Sequence, residues 1–281
     1  MRRWKLILNN LELISFKIAL ILCAVSTIGY LSSLLVRRVK LAKISTWILS
    51  TAFVFLTVKF LFVIINSSWF LNPDSRDFLS FCAWTVCAVY LVLQFKTKTR
   101  VLGAFISPLI LLFMIAAAGE EAGRSIRPQN LQSGLTALHL FLTIFGEALF
   151  VIASCAGLMF IMQNRLLKSK KLSGMSRLLP SLNDLDRINH LCLLWGFPLL
   201  SVGVIAGVIF AQISWKTGWL TDPKIVWTFA AWMIYGFLLH QRLAIGWKGY
   251  RMALFSGITF ILLLMSYFGV KICFPTLHNF I

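Results

Sequence analysis

Four histidines, His139, His190, His240 and His278, and the Trp-rich stretch "SWKTGWLTDPKIVW" at 214–227 hold most of this chain's capacity for chemistry. Imidazole moves protons or ligates metals near neutral pH, and indole offers a flat apolar face. His139 stands about one turn into an apolar run, in "SGLTALHLFLTIFGEALF", and His278 follows the last such run, in "LHNFI". Counting spans puts both on one side of a membrane, with the Trp-rich stretch between them in sequence, an arrangement that fits a two-ligand grip on a metal centre. A histidine bonded to a neighbouring helix and one in a free tail are the alternatives. His240, in "LLHQR", falls about 22 Å along its run, a depth at which an ionisable group is a functional candidate unless the helix tilts it to the interface. His190 opens another run at the inner surface, where solvent can satisfy it.

Trp215, Trp219, Trp227 and Trp232 fall close together. An interfacial tryptophan belt accounts for part of that density, but not for Lys216, Asp222, Pro223 and Lys224 among the rings. A wide, apolar, anionic ligand with a central metal would use every part: indoles stack on a porphyrin face, two imidazoles bind iron, and cations meet the propionates. Lys216, Lys224, Arg124 and Arg127 are the candidate cations, each otherwise a solvated surface charge.

The elements that must position these groups are membrane helices. Of 281 residues, 59% are hydrophobic and 13% charged, and the mean hydropathy is +0.85. A soluble domain cannot hide that much apolar surface. Apolar runs near 14–36, 44–66, 78–95, 101–118, 134–163, 188–213, 225–243 and 252–273 have the length that crosses a hydrocarbon layer of about 30 Å as helix. The expected fold is an all-α integral membrane protein, a polytopic bundle of about eight transmembrane helices. The net charge of +18 follows from topology rather than from a nucleic-acid partner: basic residues such as Arg37, Arg38, Lys96, Lys168, Lys170 and Lys248 gather on every second loop, whereas opposite loops mix signs. That bias puts both termini on the extracytoplasmic side of the membrane. Arg2, Arg3 and Lys5 run against it. Glu12 and Lys17 interrupt the first run, which is expected to remain as a helix rather than leave as a signal peptide.

The six cysteines lie singly within apolar runs and form no Cys-x-x-Cys-His. They read as small packing residues, and the chain is expected to carry no covalently attached haem. Lys59 and Glu147 are ionisable groups near the middles of their runs; a mutual ion pair is one way to hold them there. The polar interval 164–187 joins two blocks, and Asp184 and Asp186 in "SLNDLDRINH" stand where a helix dipole favours negative charge. No phosphate-cradling loop or nucleophile motif occurs.

The ordered motifs "LHLFLTIFGEALF", "LPSLNDLDRINH", "GFPLLSVGVIAGVIFA", "DPKIVWTFAAWMIYGFLLHQRLAIGWKGYR" and "LHNFI" resemble the cytochrome c assembly family, the CcsA and HemX group, over about residues 134–281. The resemblance implies a Trp-rich outer segment that holds haem, with His139 and His278 as axial ligands and His240 as the histidine inside the membrane. It makes 1–133 an N-terminal four-helix region and 134–281 the haem-handling region. Trp215, Trp219, Trp227, Asp222 and Lys224 are then cofactor-binding. Thr221 replaces the tryptophan usual before the aspartate and Ile225 replaces a glutamate, which thins the aromatic shelf. The implied function is haem presentation to apocytochrome c, alone or with a second biogenesis subunit, rather than catalysis. Two rivals remain: a HemX-like regulator contacting a tetrapyrrole-synthesis enzyme, and a transporter of another anionic or aromatic solute using Lys59 and Glu147.

Overall fold

The computed structural model describes residues 2–66, 75–97, 99–120, 134–169, 178–215 and 219–265. Helix dominates because a chain in hydrocarbon must satisfy its backbone polar groups within each segment. Among the described residues, eight helices fall on the eight apolar runs: α1 (Arg2–Leu35), α2 (Val39–Asn66), α3 (Ser75–Thr97), α4 (Gly103–Gly119), α5 (Gly134–Lys168), α6 (Leu182–Trp215), α7 (Pro223–Leu243) and α8 (Tyr250–Leu264). Short 3-10 turns, Arg100–Leu102 and Trp219–Thr221, lead into α4 and α7. The first six helices are long and apolar enough to cross a membrane. At 21 residues α7 matches them in length but carries Lys224, His240 and Arg242 near its ends, and the described part of α8 is 15 residues. The chain divides into two compact units, Met1–Ser125 and Ile126–Ile281.

In the first unit α1 and α2 form a hairpin closed by a tight helix-capping turn. Arg38 N–H donates back to the Ser33 carbonyl at 3.1 Å, and Arg37 takes a φ of 57°, the left-handed position that glycine usually fills at a helix C-terminus. The interior holds a hydroxyl network in which Tyr30 donates to Thr46 (2.9 Å) and meets the Tyr90 hydroxyl (3.1 Å), while Tyr90 also reaches Gln94 (3.3 Å). All four residues are buried, so these bonds satisfy groups that lipid would leave unpaired.

The expected Lys59–Glu147 pair is corrected here. Lys59 is completely buried and its ammonium donates to Asp77, in the first turn of α3. The helix dipole favours a carboxylate at that position. The ammonium also lies 4.4 Å from the centre of the Phe60 ring, a cation–π contact that offsets part of its lost hydration. Glu147 lies half-buried on α5, in the second unit.

In the second unit α5 and α6 run against each other over much of their length. A Cβ on Gly146 would stand 2.9 Å from both the Gly196 oxygen and the Leu200 nitrogen, so the backbones meet where α5 carries no side chain. Deeper in the unit, the Asn189 amide of α6 donates to the Ala153 carbonyl of α5 and the Ser256 hydroxyl of α8, both at 2.8 Å. Ser154 closes the knot by donating to the Ser256 carbonyl at 2.8 Å. The five described cysteines, Cys23, Cys82, Cys87, Cys155 and Cys192, are unbridged and buried, as packing residues should be.

Lys59→Met leaves a buried Asp77 without its cation, and is expected to lower the thermal stability of the detergent-purified protein by about 3–5 kcal/mol. Adding Asp77→Leu should restore most of that loss. A double variant as unstable as Lys59→Met alone would show that the pair is not the relevant interaction.

Candidate functional site

His139 lies five residues into α5, half-buried against α6. Its Nδ1 and the Gly203 carbonyl oxygen are 2.7 Å apart. One turn further along α6, Gly207 leaves room for the ring: a Cβ there would stand 2.5 Å from Nδ1 and 2.6 Å from Cε1. Thr143, one turn along α5, donates to the His139 carbonyl at 2.6 Å and packs against Gly203. The histidine is therefore held at a helix–helix crossing rather than at a loose interface.

Helix α6 also meets the aromatic residues. The Trp232 indole N–H of α7 donates to the Ser201 hydroxyl at 2.9 Å, and the ring stacks on Phe197 at 5.7 Å with planes 20° apart. Ser201 and Gly203 are two positions apart, so α6 presents His139 and Trp232 at nearly one level on different faces. Trp219, in the 3-10 turn, and Trp227, in the first turns of α7, are half-buried. Trp215 ends α6. That terminus lies about 12 Å beyond Gly207 at 1.5 Å per residue, which sets the tryptophans at the His139 end of the unit.

Asp222 has a structural role that the motif does not announce. It is 4% exposed and caps α7, accepting from Lys224 N–H at 3.0 Å and Ile225 N–H at 3.4 Å, with Pro223 at the first helical position. This Asp-Pro pair is a strong helix start. Thr221 is exposed in the turn before it, and Lys224 and Ile225 are half-buried. Lys216, Arg124, Arg127 and His278 lie outside the described residues.

A second polar cluster occupies the opposite end of the unit. Asp186 of α6 takes a bidentate bond from Arg242 of α7, at 3.0 and 2.7 Å, and a third from Gly249 N–H at 2.7 Å. Arg242 also donates to the Trp247 carbonyl at 3.0 Å, and the Arg251 guanidinium lies 5.8 Å from the centre of the Trp247 ring. Beyond complementing the helix dipole, Asp186 thus has a partner 56 positions away, for which the sequence carries no local signal. His190 also differs from expectation: its Nδ1 is buried, with no hydrogen-bond partner among the described residues, beside the charges of Arg242, Asp186 and Lys248. His240 is exposed in the last turn of α7. The span from Asp186 to Gly203 along α6 is about 25 Å, so His240 and His139 stand at different ends and cannot share one metal ion.

Comparison with known proteins follows the same residues. A family profile described as Cytochrome C assembly protein matches residues 74–278. The match begins well before residue 134, where the quoted motifs start, and takes in α3 and α4. Curated relatives include proteins named cytochrome c biogenesis protein CcsA from three organisms. The one from Trieres chinensis is 26% identical over 258 residues, covering 78% of this chain and 82% of the relative. The one from Chlamydomonas reinhardtii is 28% identical over 226 residues, covering 76% and 62%. The one from Microcystis aeruginosa is 23% identical over 264 residues, covering 77% and 80%.

If Asp222 acts as a helix cap, Asp222→Ala should cost about 1 kcal/mol of thermal stability, whereas Asp222→Asn, which keeps the accepting oxygen, should melt like the unaltered protein. An Asn variant as impaired as the Ala variant would assign the role to the negative charge instead.

Proposed function

The chain belongs to the cytochrome c assembly protein family, and on that footing we propose that it holds haem at the extracytoplasmic end of its second unit and presents it to apocytochrome c. The carrying observation is the setting of His139. One ring nitrogen faces a backbone carbonyl, so the other carries the lone pair with which imidazole ligates iron. His278 is the proposed second axial ligand. Trp215, Trp219 and Trp227 form the proposed apolar shelf, with Lys224 among the candidate propionate partners and Asp222 fixing the start of the helix that carries Trp227.

Non-covalent haem b fits this donor set. No group of three or more His, Cys, Asp or Glu residues able to hold a metal ion occurs among the described residues, whereas a porphyrin brings four nitrogens of its own. The bound group supplies vinyl carbons to which the thiols of an apocytochrome Cys-x-x-Cys-His sequence add as thioethers. The protein's part is to orient the macrocycle, exclude lipid from its face and keep one edge accessible. A second biogenesis subunit belongs to the same reading, as does a bacterial cytoplasmic membrane with the haem end outward.

The regulatory rival needs the polar interval 164–187 to contact a tetrapyrrole-synthesis enzyme, whereas the relatives compared above carry the name cytochrome c biogenesis protein CcsA and are matched over 82% and 80% of their own lengths. The transporter rival used Lys59 and Glu147 in a central path, and Lys59 bonds to Asp77.

The test is the visible spectrum of the purified protein. His139→Ala and His278→Ala should each weaken the sharp low-spin Soret and α bands and lower haem affinity on the order of tenfold or more, equivalent to at least about 1.4 kcal/mol. Bands unchanged in both variants would overturn the ligand assignment. In cells, deletion should abolish c-type cytochromes; normal cytochromes with altered tetrapyrrole-synthesis enzyme would favour regulation.

A further inference from the structure

We propose that α6 is the positioning element for the His139 ligand: the Gly203 carbonyl selects the ring's tautomer, and the bare backbone at Gly207 fixes the ring plane. The functional half of this inference rests on the haem reading above. The tautomer does not.

A carbonyl oxygen only accepts, so the 2.7 Å contact makes Nδ1 the donor. In the neutral ring the lone pair is then on Nε2. Neutral imidazole in water prefers the other tautomer, which makes Nδ1–H a state selected by the protein. The Gly203 oxygen has two lone pairs, so it can serve His139 beside the ordinary helical bond from Gly207 N–H. A metal-binding histidine whose far N–H is held this way is oriented and made a more basic ligand, which stabilises the ferric over the ferrous state.

The two glycines act differently. A Cβ on Gly207 meets the ring itself, at 2.5 Å from Nδ1 and 2.6 Å from Cε1, so any larger residue turns or expels the imidazole. At Gly203 a Cβ meets Thr143 Cγ2 at 2.7 Å and Thr143 N at 2.9 Å, so a side chain there pushes back the α5 backbone. Gly203 therefore sets the helix spacing that allows the hydrogen bond, and Gly207 sets the ring that makes it. Gly257 is a matched control, because a Cβ there meets nothing within 4 Å.

The experiment has two arms. In the first, the haem-free full-length chain in detergent carries ¹⁵N-labelled histidine, and the His139 signals are assigned by their loss in His139→Gln. The expected result is a protonated Nδ1 and an unprotonated Nε2; an Nε2–H tautomer or a cationic ring overturns the inference. In the second, haem-loaded Gly207→Ala should bind haem about 10–100-fold more weakly than the unaltered chain, show a high-spin fraction and have a raised midpoint potential. Gly257→Ala should change none of these. If Gly207→Ala behaves like Gly257→Ala, the positioning role is overturned while the haem reading stands. If His139→Gln leaves the low-spin bands intact, haem is bound but His139 is not its ligand, and the positioning role fails with that assignment; if the unaltered chain takes up no haem, the haem reading itself fails. Should Gly207→Ala not accumulate, the tautomer of the unaltered chain decides.

Discussion

The second unit depends on the distance at which α5 and α6 can approach each other. Lipid tails are as apolar as leucine, so burying apolar side chains supplies little drive for helices to associate in a bilayer; close packing and hydrogen bonds must supply it instead. Gly146 faces the backbone at Gly196, and Gly203 and Gly207 receive Thr143 and His139. Only at that spacing can a side chain of one helix reach a main-chain carbonyl of the other. The His139 contact is thus a product of the helix crossing rather than an addition to it.

Buried polar groups show a second regularity. Four buried or half-buried groups are tied to a helix other than their own: Lys59 to Asp77, Asn189 to Ser256, Trp232 to Ser201, Asp186 to Arg242. In hydrocarbon an unpaired polar group has no water to fall back on, so such bonds penalise wrong registers more than they reward the right one. They specify which helix lies beside which. The glycines specify how near.

The helices were legible in the sequence because each apolar run matches the bilayer thickness, a constraint that acts within one segment. The Asp-Pro start of α7 was legible as a motif but not as a cap, since the same two residues belong to the Trp-rich pattern that carries the family resemblance. Pairings between helices were not legible. Lys59 was matched to another mid-helix charge, yet its partner stands in the first turn of α3, where register alone decides which residues meet. Backbone acceptors leave even less trace, because every residue has a carbonyl; Gly196, Gly203 and Gly207 mark one stripe of α6, but nothing in their spacing points to a histidine. A place near a helix start suggests a solvated His190, whereas its Nδ1 is buried beside the Asp186–Arg242 cluster.

That cluster has a mechanical meaning. One carboxylate gathers donors from the end of α7 and from the segment leading into α8, so at this pole three helices are riveted together. Sliding them past one another would break all three bonds at once, whereas tilting need break none. The rivet acts as a fulcrum, and the amplitude of any splaying grows with distance from it. The tryptophans and His139 sit toward the other end of these helices, about 25 Å away along α6, so a small tilt there can leave the anchored pole intact.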